Sequence, residues 1–318
     1  MNRRRILCLS ILLTAALIGS LCMTAKHRLY AADRSDLFEE KIVYQDKSYR
    51  YNDALLTFLV MGIFTWNKDR GPLEGEADAN FLCVFNPKTK QLDVICLNRN
   101  SMIDIDFYNE EGIYLVRQKA QLTLQHGFGI NKEQGSELQV AAVQRLMRGI
   151  PINGHIAVDM QVVELMNHAV DGVSVTVLED LTEIDEAFVQ GDEVCLSDEQ
   201  AFWYVKYRNE FIYGSADRRL QRDIQFLQGF ADKATDKMSE DFMFLYHLYK
   251  ECDEHVYTNL SPDRIAMLLM LAKDCEVQDI KFHNLPGETK MGEKYEEFYV
   301  DEQQLLDMIM DIFYVEED

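Results

Sequence analysis

Between Glu76 and Ser101 the chain reads EADANFLCVFNPKTKQLDVICLNRNS, and this stretch constrains the fold most. Two apolar runs, NFLCVFN and QLDVICLN, are joined by PKTK after an asparagine. Runs this short and this apolar, bounded by turn residues, read as a hairpin-like pair of buried strands. One acidic residue, Asp78, stands before the first run and one basic residue, Arg99, follows the second. Upstream, ALLTFLVMGI reads as another buried strand, and TWNKDRGPLEGEADA as a loop by its Gly, Pro and charges. Downstream, GSELQVAAVQRLMRGI reads as an amphipathic helix with Ser136 as N-cap and Pro151 just past its end. HIAVD follows as a strand, MQVVELMNHAV as a helix and GVSVTVL as a strand. Alternating strands and helices signal a layered α/β fold.

The C-terminal half continues the pattern. SDEQAFWYVKYR is a helix with Ser197 as cap and Gln200 at the third helical position, a capping box. A long helix runs around RRLQRDIQFLQGFADKA, and SPDRIAMLLMLAKD opens another with Ser-Pro. The tail has a strand pair near VQDIKFHNL and EEFYVD, then the helix EQQLLDMIMDIF. With no internal repeat and no Pro- or Ser-rich linker, residues 51–318 read as one domain.

The N-terminus reads differently. MNRRR precedes ILCLSILLTAALIGSLCM, an uncharged apolar run of roughly the 18 residues that suggest a membrane span. Arginines before such a run place that end in the cytoplasm. Tyr30 occupies the position that a signal-peptidase site before Ala32 needs to be small, and Leu21 before Cys22 does not suit a lipoprotein. Residues 1–25 therefore read as a cytoplasmic tip and uncleaved anchor, 26–50 as a juxtamembrane stalk with a short strand, and the domain as extracytoplasmic. The formal net charge of −22 argues against nucleic acid, which is bound by neutralising phosphates with lysine and arginine. Seven widely spaced cysteines are not a disulfide framework; Cys83 and Cys96, on neighbouring strands, are placed to pair but read better as small buried residues.

Few motifs carry chemistry on their own. GETKMGEK has the wrong spacing and place for a P-loop and reads as a turn. His247, Cys252 and His255 do not share one helical face, which argues against zinc. The basic residues are scarce but clustered: Lys206 and Arg208 end one helix, and Arg218, Arg219 and Arg222 open the next. Arg219 and Arg222, three apart, share a face. Such a cluster at a helix start suits an anion or diphosphate. It also suits a charged face bridging to the abundant Asp and Glu, and spacing alone does not choose.

The order of these features resembles the LytR-CpsA-Psr family of membrane-anchored cell-wall proteins. That family's pattern is a strand ending in Gly-x-Asp, then Ser-Asp-Thr before an apolar strand, an Asn-Pro-Lys-Thr turn, and a strand ending in Pro-Arg-Asp. MGI, the loop and EADANFLCVFNPKTKQLDVICLNRNSMIDI follow it in order. QKAQLTLQHGFG is similar to the family's Lys-x-Asn segment, and GIPINGHIAVDMQVVELMNHAVDGVSVTV to its "LGIPIDYYVxVNFxGFxxLVDxLGGVxV" stretch. SDEQAFWYVKYR and RRLQRD resemble its "GeqALxYvRxR" and "RxxRQ" motifs. The resemblance runs from about Leu55 to Lys233.

It implies an α/β/α sandwich with a central mixed sheet and an apolar tunnel for a lipid. It implies transfer of a polyprenyl-diphosphate-linked glycopolymer, teichoic acid or capsule, onto peptidoglycan. By motif, Asp78 would be catalytic and hold magnesium, and Arg99 would be catalytic. Lys119, Lys206, Arg208, Arg219 and Arg222 would bind the diphosphate. The chain departs from the pattern at Phe64, where the family has the Gly-x-Asp aspartate, and at Lys206 for Arg, Asn100 for Asp and Asp223 for Gln. Phe64 removes a metal-supporting carboxylate, and Asp69 in the same loop is the candidate to substitute. The alternative expectation is a catalytically impaired relative that binds lipid-linked intermediates or wall proteins without transfer.

Overall fold

The computed structural model describes residues 39–65, 71, 73–209, 211–241, 243–265 and 280–317. The expected anchor and Asp69 lie outside them, as does most of SPDRIAMLLMLAKD. Among the described residues no helix is long and apolar enough to cross a membrane.

The strands are β1 (Lys41–Tyr44), β2 (Lys47–Tyr51), β3 (Leu56–Phe64), β4 (Glu76–Phe85), β5 (Leu92–Leu97), β6 (Met102–Tyr108), β7 (Tyr114–Gln121), β8 (Gly154–Asp159), β9 (Ser174–Thr176), β10 (Glu193–Cys195), β11 (Val256–Thr258), β12 (Ile280–Asn284), β13 (Gly287–Met291), β14 (Glu296–Val300) and β15 (Tyr314–Glu316). The helices are α1 (Leu124–Gly127), α2 (Lys132–Leu146), α3 (Val162–Ala169), α4 (Asp198–Lys206), α5 (Ser215–Glu240), α6 (Phe244–Cys252) and α7 (Glu302–Phe313). A six-stranded mixed sheet in the order β11-β8-β3-β4-β5-β12 forms the centre. β8 runs parallel to β3, and β12 parallel to β5, while β3, β4 and β5 form an antiparallel meander.

Alternation along β3 shows why the sheet is covered on both sides. Phe58 joins one core with residues of α3, α4, α5 and α6, while Leu59, Met61 and Ile63 join another with residues of α2 and α7. A strand with successive side chains on opposite faces needs this when nearly all of them are apolar. Every residue of β5 is buried. The mixed α/β architecture expected from the sequence is therefore present.

Several local expectations change. α2 begins at Lys132, and its cap is Asn131, whose side chain accepts from the Gln134 N–H at 2.9 Å. Ser136 is buried one turn inside, 3.3 Å from His126 Nε2. The KIVYQDKSYRY segment is a hairpin whose two turn residues, Gln45 and Asp46, both have positive φ, as a type I′ turn requires. Its second strand pairs with β15, so this part of the expected stalk joins the C-terminus in a small sheet. The expected tail pair does not form, because β12 extends the central sheet beside β5 whereas β14 pairs with β13. GETKMGEK thus supplies a strand as well as a turn. Cys83 and Cys96 are buried free thiols, and burial pushes the Cys83 thiol up to about 12.

Candidate active site

The antiparallel register of β4 and β5 pairs Asn80 with Leu97. Extended by two residues, the same register sets Asp78 opposite Arg99, so the two lone charges flank one end of the hairpin. Against β3 the register skips a residue there: Gly62 pairs with Ala79 and Ile63 with Ala77. Asp78 is the extra residue of a bulge, a device that turns one side chain out of the ladder and terminates regular pairing. Its carboxylate is 3% exposed and meets three cations. Oδ1 lies 2.9 Å from Arg99 Nη2, and Oδ2 lies 2.5 Å from Lys206 Nζ and 3.6 Å from Arg219 Nη1. Arg219 Nη2 also donates to the Asp78 carbonyl.

Each cation arrives from a different element. Arg99 follows β5 and also donates to Glu76 Oε2 at 3.1 Å and Thr123 Oγ1 at 3.0 Å. Lys206 is the last residue of α4, where the Ser197–Gln200 capping box fixes the other end. Tyr207 is already extended, so Arg208 leaves the helix, and its charge reaches Arg99. Arg219 lies in the first turns of α5. That helix start is braced by β13 and β14: Gly214 N–H donates to Glu296 Oε1, and Thr289 Oγ1 donates to Asp217 Oδ2 at 2.8 Å.

Burial alone would raise the Asp78 carboxyl, but Arg99, Arg219 and Lys206 outweigh it and hold it well below the usual carboxylate range. Burial lowers Arg99 and Lys206 from their ordinary values, with Asp78 opposing in both. Asp223, one turn beyond Arg219, behaves oppositely. Burial raises it to about 6 against Arg219 and Arg222, and the charge of Asp78 adds to the rise.

Arg219 and Arg222 share a helix face but not a task. Arg222 donates Nε to the Tyr204 carbonyl at 2.6 Å, Nη2 to the Tyr207 carbonyl and Nη1 to Glu179. These are carbonyls at the C-terminal end of α4, where a cation is favoured. The structure thus gives Arg222 a bracing role, in place of the direct diphosphate contact expected of it. With Arg208 and Arg218 it also borders a small cleft beside Glu179 and Tyr207. Lys119 is exposed on β7, in register with Asp104. It shares a face with Gln121, which reaches Asn100 at 3.3 Å, but it sits two residues farther out and apart from the Asp78 cluster. Glu76, Thr123 and Glu179 are participants that the motif reading did not name. Period-two spacing from Asp78 was the signal for Glu76.

Seven buried polar atoms around this cluster have no hydrogen-bond partner: Asp78 Oδ1, Arg99 Nε, Asn100 Nδ2, Ser215 Oγ, Arg219 Nε, Asp223 Oδ1 and Glu296 Oε2. Asp78 Oδ1 touches Arg99 as an ion pair without hydrogen-bond alignment. Unsatisfied buried groups are costly and call for a ligand or water. Beside them opens a cavity of about 100 Å³ lined by Val60, Phe81, Val94, Val163, Met166 and Phe226, with Asp78, Arg219 and Asp223 also in its wall. The site thus sets an apolar wall beside buried cations.

Among the described residues, the donor set around Asp78 does not fit magnesium. That ion keeps near-octahedral oxygen ligation, usually through one or two carboxylates with waters and phosphates. Both Asp78 oxygens face cations, and Glu76 is held by Arg99. Among the described residues no three His, Cys, Asp or Glu side chains gather to hold a metal. At the position of the expected aspartate, the Phe64 ring offers a π face.

In this mixed α/β domain an apolar cavity thus meets a buried cationic cluster. The chain belongs to the LytR-CpsA-Psr family: the LytR_cpsA_psr family model matches residues 22–312. It is 25% identical over 222 residues to the polyisoprenyl-teichoic acid–peptidoglycan teichoic acid transferase TagU of Bacillus cereus, covering 69% of this chain and 66% of that one. The chain thus spans just under two thirds of that relative's length. TagU of Enterococcus faecalis is 25% identical over 182 residues, 57% of this chain and 54% of that one. Among solved structures, the protein gbs0355 from Streptococcus agalactiae superposes with a TM-score of 0.68 at 22% identity, covering 81% of this chain and 86% of that one. Bacillus subtilis TagV gives 0.61 at 18% identity, covering 82% and 96%. TagT bound to LI-WTA gives 0.59 at 20% identity, covering 82% and 90%. At these identities the structural likenesses speak for the fold.

Proposed function

We propose that this protein transfers a polyprenyl-diphosphate-linked glycopolymer, of teichoic acid or capsule type, onto peptidoglycan at the outer face of the cell membrane. The observation that carries this reading is the apolar cavity whose wall includes Asp78 and Arg219. A polyprenyl chain suits the cavity, and its diphosphate then meets Arg99, Lys206 and Arg219. Family membership and the TagU relatives, which act from polyisoprenyl-teichoic acid to peptidoglycan, supply the class of donor and acceptor. The N-terminal apolar run supplies the anchor.

The chemistry follows from the charges. An acceptor hydroxyl oxygen attacks the phosphorus next to the sugar and releases its proton to water. The bond from that phosphorus to the bridging oxygen breaks, and polyprenyl phosphate leaves. Phosphoryl transfer asks mainly for positioning and for neutralisation of charge on the leaving phosphate. Arg99 offers a planar fork, already partly desolvated, and Arg219 supplies a second cation from α5. Arg208, on the extended segment after α4, adds a further positive charge that reaches Arg99.

A second reading, binding without transfer, draws on Asp223, a buried acid among the phosphate-facing cations. One experiment separates the two. The full chain in detergent is given a synthetic polyprenyl diphosphate glycolipid, and release of polyprenyl phosphate is followed beside Asp78→Ala and Arg99→Ala. Turnover lost in both variants supports transfer. Binding without release supports the second reading, and absence of binding rejects both.

A further inference from the structure

Lys206 occupies an unusual seat. Its ammonium lies 3.4 Å from the centroid of the Phe64 ring and 2.5 Å from Asp78 Oδ2. The ring belongs to the last residue of β3, and the lysine ends α4, so two elements distant in sequence converge on one charge. An ammonium over an aromatic face is attracted by the ring quadrupole, most strongly where water is excluded. The lysine side chain is 10% exposed and the aspartate 3%, so this contact is largely dry. A guanidinium would spread its charge over a plane, whereas an ammonium is a compact point charge that fits between ring and carboxylate.

We propose that Lys206, held between Phe64 and Asp78, is the resident cation of the diphosphate site, so that this chain engages a polyprenyl diphosphate without a divalent metal. The inference rests on the functional reading above and specifies how its anion is held. A divalent ion at Asp78 would have to displace Lys206 from Oδ2 or Arg99 from Oδ1. It would then sit within a few ångströms of three cations, a repulsion that a single carboxylate offsets poorly. The two departures at this place, Phe64 and Lys206, are therefore one coupled change: the aromatic ring removes an oxygen ligand, and the ammonium that stands in place of the expected arginine packs on that ring against Asp78. Asp223 does not restore a metal site, because it is itself ion-paired with Arg219, its Oδ2 3.9 Å from Nε.

The test titrates the full chain in detergent with farnesyl diphosphate, in EDTA and in magnesium chloride, by calorimetry. The expected result is a dissociation constant that differs by no more than about twofold between the two buffers. Phe64→Leu, which keeps apolar volume but loses the quadrupole, is expected to weaken binding about three- to thirtyfold in both buffers. Lys206→Met is expected to weaken it by at least about tenfold. Phe64→Asp, which supplies a carboxylate beside Asp78, is expected to bind more tightly with magnesium than with EDTA. Should Lys206→Met fail to fold, as its thermal transition would show, Phe64→Leu carries the same decision. Wild-type binding that collapses about tenfold in EDTA and returns with magnesium overturns the inference and keeps the functional reading. Binding in neither buffer overturns the functional reading, and this inference with it. Phe64→Leu binding as tightly as the wild type overturns the role of the ring.

Discussion

Replacing Asp223 by asparagine tests the electrostatics of the site without touching its cations. Asp223 is 7% exposed, its Oδ1 has no hydrogen bond, and its Oδ2 lies 3.9 Å from Arg219 Nε. Burial raises its carboxyl to about 6, from the ordinary 3.8. A carboxyl raised on folding contributes stability that is fully present below its unfolded value and is lost as pH rises through its folded value. The shift of about two units corresponds to about 3 kcal/mol lost by pH 7.5. Asparagine keeps the size and does not titrate, and Arg219 keeps its contacts with Asp78. Asp223→Asn is therefore expected to match the wild type near pH 4. Near pH 7.5 it should be more stable by about 3 kcal/mol, or about 6–12 °C in Tm for a domain of this size. Thermal unfolding of both proteins from pH 4 to 8 reads this directly. Taking the difference cancels the many other carboxylates and the self-repulsion of a chain of net charge −22. An asparagine variant that is less stable by the same margin at every pH would refute the reasoning, because Asp223 would then be a well-paired ion.

Arg99→Lys keeps charge but loses the fork that reaches Glu76, Thr123 and Asp78, and is expected to weaken farnesyl diphosphate binding about tenfold, read by titration. Val163→Trp, in the cavity wall, is expected to abolish binding of farnesyl diphosphate while inorganic diphosphate still binds, read by calorimetry with each ligand. Gly75→Ala would set a Cβ 1.9 Å from the Phe64 carbonyl oxygen, and is expected to cost about 3 kcal/mol in urea unfolding. Arg222→Met removes the donor from two α4 carbonyls and Glu179, and is expected to lower stability by about 3 kcal/mol, read by the same unfolding experiment.

Much of the fold was legible because the strands are apolar without interruption and the turns are chemically explicit. The β4–β5 hairpin, the capping box of α4 and the long α5 all follow from local patterns that tertiary contacts reinforce. The tail was misread for a physical reason. β12 and β14 are short and half-buried, and nothing local tells such a strand whether to extend a distant sheet or pair with its neighbour. Ser136 misled for a related reason: it has the right chemistry for a cap, but Asn131 lies earlier and its side chain reaches the Gln134 N–H.

The candidate site divides the same way. Asp78 opposite Arg99 needed only an antiparallel register, and Arg219 only a helical face. Arg222 needed the end of α4, because its role is set by carbonyls that carry no mark in the sequence. Phe64 read alone is a lost carboxylate, and Lys206 read alone is a lost fork, so each departure by itself argues for a weakened site. With the Lys206 ammonium 3.4 Å from the Phe64 ring centroid, they argue for a different one, in which ring and lysine together enclose the Asp78 carboxylate. Substitutions at a charged site are thus best judged as sets that share a neighbour. The relevant comparison is the set of groups that meet at Asp78, where Phe64 stands in place of a carboxylate and Lys206 keeps the single positive charge of the expected arginine while packing on the ring.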